Sequence, residues 1–318
     1  MECFCPATRR LALKRIVLFL LIVLTGFGCS EDDNTTGPNE KSSTGTIIVA
    51  WGDNDQNQSN VPQPNSGFEA IACGANHNLG LKSDGSIVGW GYNYDGQCDV
   101  PAPNSGFIAV ACGGNHSLGL KSDSTIVAWG KNDFGQCNIP VPNSGFIAIA
   151  SRVNFNLGLK FDGSIVAWGE NVAGQFDIPA PNSDFEAIAC GYKHSLGLKS
   201  DGSIVAWGDT LDYRLNVPAP NSDFIAIAGG WGHSLGLKSD GSIVTWGSNS
   251  IGQCNVPAPN SGFEAIACGS NHSLGLKSDG TIVAWGFNNE GQCEVPAPNS
   301  GFMAVAGGSN NSLALKKN

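Results

Sequence analysis

Five histidines, His77, His116, His194, His233 and His272, share one register of the sequence, and Phe155 and Asn311 fill that register in two further places. A circle of imidazoles is a chemistry for holding a metal. A ligand set is normally built once, at one place, whereas this residue is copied five times. The recurrence therefore points to a structural hydrogen bond to a neighbouring turn, and no metal or cofactor is expected. Four of the histidines precede a serine, as in His116-Ser117 with Asp123 nearby, which has the composition of a hydrolase triad. Neighbours on a strand face opposite ways, so the two members of one pair cannot pass a proton to each other. Asp53-Asn54-Asp55-Gln56-Asn57 offers calcium-loop oxygens but lacks the glycine and the terminal glutamate of such a loop. The glycines recur as turn residues and build no phosphate-binding loop. These residues predict no catalytic site.

The chain has 11 cysteines. Cys3 and Cys5 lie in the leader. Cys73, Cys112, Cys190 and Cys268 end one class of strand, and Cys98, Cys137, Cys254 and Cys293 follow a Gly-Gln or its equivalent. Three pairs are 25 residues apart (Cys73/Cys98, Cys112/Cys137, Cys268/Cys293), which is compatible with disulfides and equally with small buried free thiols.

The elements that must position these residues follow from one period. Trp51, Trp90, Trp129, Trp168, Trp207, Trp246 and Trp285 are each 39 residues apart, and residues 46–318 number 273, seven times 39. Such a period signals a solenoid, a propeller or an array. Each repeat reads as short strands: Ile87-Val88-Gly89-Trp90, Phe107-Ile108-Ala109-Val110-Ala111 and Ser117-Leu118-Gly119-Leu120-Lys121, joined by turns rich in Gly, Pro, Asn and Ser. Nothing has a helical period. An open stack needs polar end caps. Here the first and last copies resemble the middle ones, and the chain begins and ends within a unit. The strand at 46–52 then pairs with the strand at 312–317, closing the ring and removing two open edges. The expected fold is all-β, a seven-bladed β-propeller over 46–318.

Before the repeats, Arg9, Arg10, Lys14 and Arg15 form a basic stretch, and Ile16 to Leu24 a short apolar one. With Leu24-Thr25-Gly26-Phe27-Gly28-Cys29 this resembles a bacterial lipoprotein signal over residues 1–28, with Cys29 as the lipidated residue. Residues 29–45 read as a flexible tether. The net charge of −10 disfavours nucleic acid and anionic lipid headgroups as partners.

The run His272-Ser273-Leu274-Gly275-Leu276-Lys277 through Gly291-Gln292 resembles the regulator of chromosome condensation repeat. The short blades are similar to the bacterial branch of that family, including the β-lactamase-inhibitor propellers. The resemblance implies a seven-bladed propeller used as a binding platform and leaves the partner open. The nucleotide-exchange activity of eukaryotic relatives is not carried over, because the leader directs this chain out of the cytoplasm.

Comparing the copies shows where binding is expected. Strand directions put the Gly-x-x-His loops and the turns after Trp-Gly on one face, and the Asp-Gly hairpins with the Pro-Asn-Ser-Gly connections on the other. The second face barely varies between copies, while the first varies widely. The strongest departures are Arg152 to Phe155, Asp209 to Arg214, and Trp231, the one tryptophan off the 39-residue register. With Tyr192 and Lys193 they fall on three consecutive blades. The candidate partner-binding residues are Arg152, Phe155, Tyr192, Lys193, Tyr213, Arg214 and Trp231, chosen because Tyr, Trp and Arg dominate interface hot spots. The expected function is a non-catalytic, exported, lipid-anchored monomer at the outer membrane or cell surface, or alternatively a secreted one, that binds an envelope or extracellular protein. Carbohydrate binding is the alternative. Membrane contact is expected only through the N-terminal lipid.

Overall fold

The computed structural model describes residues 45–318. The 1–28 signal segment, Cys29 and the tether up to residue 44 lie outside the described residues. The described chain forms 21 strands in seven three-stranded antiparallel sheets. Blade 1 comprises an inner strand Phe68–Cys73, a middle strand His77–Lys82 and an outer strand Ile87–Gly91. Blades 2 to 6 repeat this order from Phe107, Phe146, Phe185, Phe224 and Phe263. Blade 7 takes its inner and middle strands, Phe302–Gly307 and Asn311–Lys317, from the end of the chain. Its outer strand, Thr46–Gly52, comes from the beginning, with register Thr46↔Lys317 to Gly52↔Asn311. Inner strands of successive blades contact one another around the ring, including the last with the first, so these strands surround the axis.

The local sequence explains the sheets. The first five residues of each middle strand are buried, as a strand packed on both faces requires. Its central glycine makes room for the inner-strand phenylalanine. A Cβ on Gly80 would lie 2.6 Å from Phe68 Cε1, and blades 2 to 6 repeat the contact, while blade 7 carries Ala314 at this position. At the same phenylalanine every inner strand carries a bulge, as between Phe68 and Ala70. The lysine opposite closes over the ring: Lys82 Nζ is 4.2 Å from the Phe68 centroid and donates to the carbonyls of Pro64 and Ser66. Seven lysines are used in this cation–π role, one per blade. The recurrent asparagine of the Pro-rich connection covers the outer edge: Asn104 accepts from Ile87 N–H and donates to Ile87 C=O, both at 2.8 Å.

No blade carries a complete core of its own. Leu79, Leu81 and Ile87 of blade 1 pack against Phe107, Val110 and Trp129 of blade 2. Ile48, Leu313 and Leu315 of blade 7 pack in the same way against Phe68 and Trp90 of blade 1. Burying each such side chain contributes roughly 1.5–3 kcal/mol, so the closing joint resembles every other. Each joint is also pinned by its tryptophan. Trp90 Nε1 donates to Gln58 O, Trp129 Nε1 to Gln97 O, and Trp51 Nε1 to Gln292 O across the closure, all at 2.9 Å.

The pairing of His77 with Gly91 places the inner-to-middle turn and the end of the outer strand at the same end of the blade. The variable loops therefore share one face, as the strand directions predicted.

Candidate functional site on the axial loop face

The histidines form a buried belt just beneath this face. His77 Nε2 lies 3.0 Å from Ser117 Oγ on the next blade. Ser117 Oγ donates to Gln97 O at 2.8 Å, the carbonyl that also receives Trp129 Nε1. The serine proton is thus committed, and His77 must present Nε2–H. His116 reaches Asn156 Oδ1, and His194, His233 and His272 reach Ser234, Ser273 and Ser312. Asn311 Nδ2 to Asn78 Oδ1, at 3.2 Å, carries the belt across the closure. All five histidines are fully buried. Burial pushes His77, His194, His233 and His272 down to about 3 and His116 to about 4. A neutral imidazole spent on a serine or asparagine of the next blade joins blades and does no proton transfer.

The glycine of Gly-x-x-His is fixed by that imidazole. A Cβ on Gly113 would sit 2.1 Å from His116 Cε1. Blade 3 changes both positions together: Arg152 replaces the glycine and Phe155 the histidine. Its inner strand runs on to Arg152, which pairs with Phe155 across a turn holding Val153 at φ 50°. Phe155 is 1% exposed and packs with Leu157 and Phe185, so it contributes to the core and cannot touch a partner.

The Arg152 side chain crosses the axis. Nη1 is 3.3 Å from Cys268 O and Nη2 is 3.4 Å from Ser270 Oγ, both on blade 6. Small residues at the ends of the inner strands (Cys73, Cys112, Ser151, Cys190, Gly229, Cys268 and Gly307) leave the space for this. Burial lowers the guanidinium pKa from its ordinary value, and arginine keeps its charge nonetheless. Above it lies a well of about 120 Å³ whose walls include Val153, Trp231, Ser270 and Ser309.

Trp231 stands at the rim, 43% exposed, with its backbone N–H on Ser270 O at 2.8 Å. Its indole stacks on Tyr192 with centroids 3.9 Å apart and planes 9° from parallel. Lys193 Nζ lies 5.2 Å from the Tyr192 centroid. The next residue, Gly232, abuts Asp212 and Arg214 of the 209–214 turn. That turn contains a short 3-10 segment, Leu211–Tyr213, with Tyr213 at its end and 74% exposed. Arg214 occupies the place of the buried glutamine of the other blades, is 4% exposed, and pairs with Asp209 at 3.4 Å and Asp212 at 2.9 Å. It holds the turn and is not available to a partner.

Of the seven candidates, then, Arg152, Tyr192 and Trp231 come together at the axial well, with Lys193 beside them and Tyr213 on the adjoining turn. Phe155 and Arg214 are internal. Sequence comparison missed Ser270 and Ser309. The signal was present: they share one register with Tyr192 and Trp231, the position after the Gly-x-x-His glycine. All eight cysteines among the described residues are free thiols. Burial raises their pKa values, Cys98 to about 12 and Cys137 and Cys293 to about 11.

The Regulator of chromosome condensation (RCC1) repeat matches residues 68–97, 107–136, 185–211, 224–253 and 263–292. The unmatched units are blade 3, with its Arg152 and Phe155, and the blade shared by the two chain ends. A search of curated proteins finds no match. Among solved structures, Prp20p from Saccharomyces cerevisiae, described with its binding to Gsp1p and histones, is 17% identical with a TM-score of 0.75, covering 96% of this chain and 94% of that one. Human WBSCR16 is 18% identical with a TM-score of 0.68, covering 86% and 99%. The ectodomain of the Arabidopsis thaliana receptor kinase ACR4 is 22% identical with a TM-score of 0.63, covering 76% and 90%. At these identities the likeness is one of fold. With seven blades closed by the pairing of the chain ends, this chain is a β-propeller that carries the regulator of chromosome condensation repeat in five of its seven blades.

Proposed function

We propose that the protein is an exported, lipid-anchored, non-catalytic platform that binds a protein partner through the loop face of blades 3 to 5. The observation that carries this reading is the Tyr192–Trp231 stack at the mouth of the axial well. Large aromatic surface kept partly exposed and held rigid by stacking is what interface hot spots are made of. Tyr213 and Leu211 extend the apolar surface on the neighbouring turn. Prp20p, a relative in fold, is described as binding proteins, Gsp1p and histones, which is consistent with such use of a propeller. The residue 1–28 leader and Cys29 support export and a lipid anchor at the outer membrane or cell surface, and hence a partner in the envelope or outside the cell. A chain of net charge −10 repels nucleic acid.

Affinity capture with the full chain against envelope proteins tests this. Alanine at Trp231, Tyr213 or Arg152 should each weaken the captured complex by about 1–2 kcal/mol, roughly 5- to 30-fold in Kd. Unchanged affinity in all three variants refutes the site. The second reading, a carbohydrate-binding module, draws on the partly exposed indole of Trp231, which suits stacking on a sugar ring. Glycan-array binding lost on Trp231→Ala, without a captured protein, would select it.

A further inference from the structure

We propose that the axial well is a carboxylate-binding site, in which Arg152 receives the side chain of an aspartate or glutamate presented by the protein partner. The inference rests on the platform reading and names the chemistry of its central contact. The ion pairs among the described residues are Lys131–Asp133, Arg214–Asp209 and Arg214–Asp212, and Arg152 takes part in none. A guanidinium has five N–H donors, and here two of them meet protein acceptors, at 3.3 and 3.4 Å. Arg152 is half-buried and lines the well with no counter-ion beside it, an arrangement open to a ligand that supplies the opposite charge. The surroundings are built for an acceptor. Ser270 donates its hydroxyl to Ser309 Oγ at 3.3 Å, which leaves the Ser309 proton free to donate beside the guanidinium.

Size and charge choose the anion. The well of about 120 Å³ has room for a carboxylate with part of its hydration. One arginine in a chain of net charge −10 favours a monoanion over a dianionic phosphate. Trp231, in the wall of the same well, then offers its indole to the residues flanking that carboxylate.

The full chain labelled with 15N-arginine gives a sparse readout, because it holds five arginines: Arg9, Arg10, Arg15, Arg152 and Arg214. The Arg152 Nε–Hε resonance should shift saturably with acetate, with a Kd on the order of 10 mM, and should not shift with acetamide. A short end-blocked peptide carrying one glutamate should bind at least tenfold more tightly than its glutamine twin. The double variant R152G/F155H adopts the Gly-x-x-His pattern of five other copies, so it removes the cation while keeping a pairing the fold already uses. It should lose the discrimination between the two peptides. A non-saturable acetate shift, an equal response to acetamide, tighter binding of inorganic phosphate than of acetate, or equal affinity for the two peptides overturns the inference. If Trp231→Ala abolishes partner capture while R152G/F155H leaves it intact, the carboxylate contact fails and the platform stands.

Discussion

Lowering the pH from 7.5 to 5 should unfold this propeller, and the histidine belt sets the size of the effect. Burial is the first cause of the depressed values, about 3 for His77, His194, His233 and His272 and about 4 for His116. The unfolded chain titrates near 6.5. A group whose folded pKa lies below its unfolded pKa takes up its proton first in the unfolded state. For these histidines stability is therefore fully present above about pH 6.5 and is lost as pH falls from there towards 3. At pH 5 the loss is about 2 kcal/mol per histidine. It is set by the unfolded value, because the folded rings are still neutral. Five histidines give about 10 kcal/mol, with a slope near 6 kcal/mol per pH unit below pH 6. That is as large as the whole stability of a typical domain. The carboxylates Asp84, Asp123, Asp162, Asp201, Asp240 and Asp279, held down by the Ser or Thr hydroxyl two residues on, lose their contribution lower in the pH range, as pH falls through their depressed values. Guanidinium unfolding followed by tryptophan fluorescence at steps from pH 7.5 to 5 measures the slope. His77→Asn, which copies Asn311, should reduce it by about one fifth. A free energy of unfolding that stays flat over this range would refute the buried, neutral belt.

Three further outcomes follow from the same contacts. Trp51→Phe removes the donor to Gln292 O, and since Ser312 Oγ also donates to that carbonyl, the cost is about 1 kcal/mol for the bond and about 1–2 for the lost ring volume. Trp129→Phe should match it within about 1 kcal/mol in urea unfolding; a neutral Trp51→Phe would mean that the closing joint is unlike the others. Alkylation of denatured, unreduced protein followed by peptide mass mapping should label Cys73, Cys98, Cys112, Cys137, Cys190, Cys254, Cys268 and Cys293 alike. Protection of a pair 25 residues apart until reductant is added contradicts the free thiols. Cys29→Ser should move the protein from the membrane fraction to the soluble fraction and abolish incorporation of labelled palmitate; retention of both rules out the lipid anchor.

How much of this was legible beforehand depends on the range of the interaction. Trp90 and its six counterparts, the Asp-Gly hairpins and the matching chain ends are visible as a period because each repeat folds by the same local rules. The assignment of faces followed from strand direction alone. Within the candidate site, Trp231 and Arg152 stood out because the other copies supplied a baseline. Phe155 and Arg214 stood out equally and were misjudged as contact residues. Each replaces a residue, histidine or glutamine, that is polar yet buried, and its recurrence in almost every blade was a sign of an internal role.

The sequence by itself determined the number of blades, the order of strands within each and the pairing that closes the ring, because these need only a repeated local pattern and edges that must be covered. Tertiary structure alone decided which side chains meet across blades: His77 with Ser117, 40 residues on, Trp51 with Gln292, 241 residues away, and Arg152 with Cys268 across the axis. Those contacts depend on how seven units curve around a common centre, and a period of 39 residues is the same for every curvature. The curvature brings one unpaired cation, two serine hydroxyls and a stacked aromatic pair to the mouth of a single well.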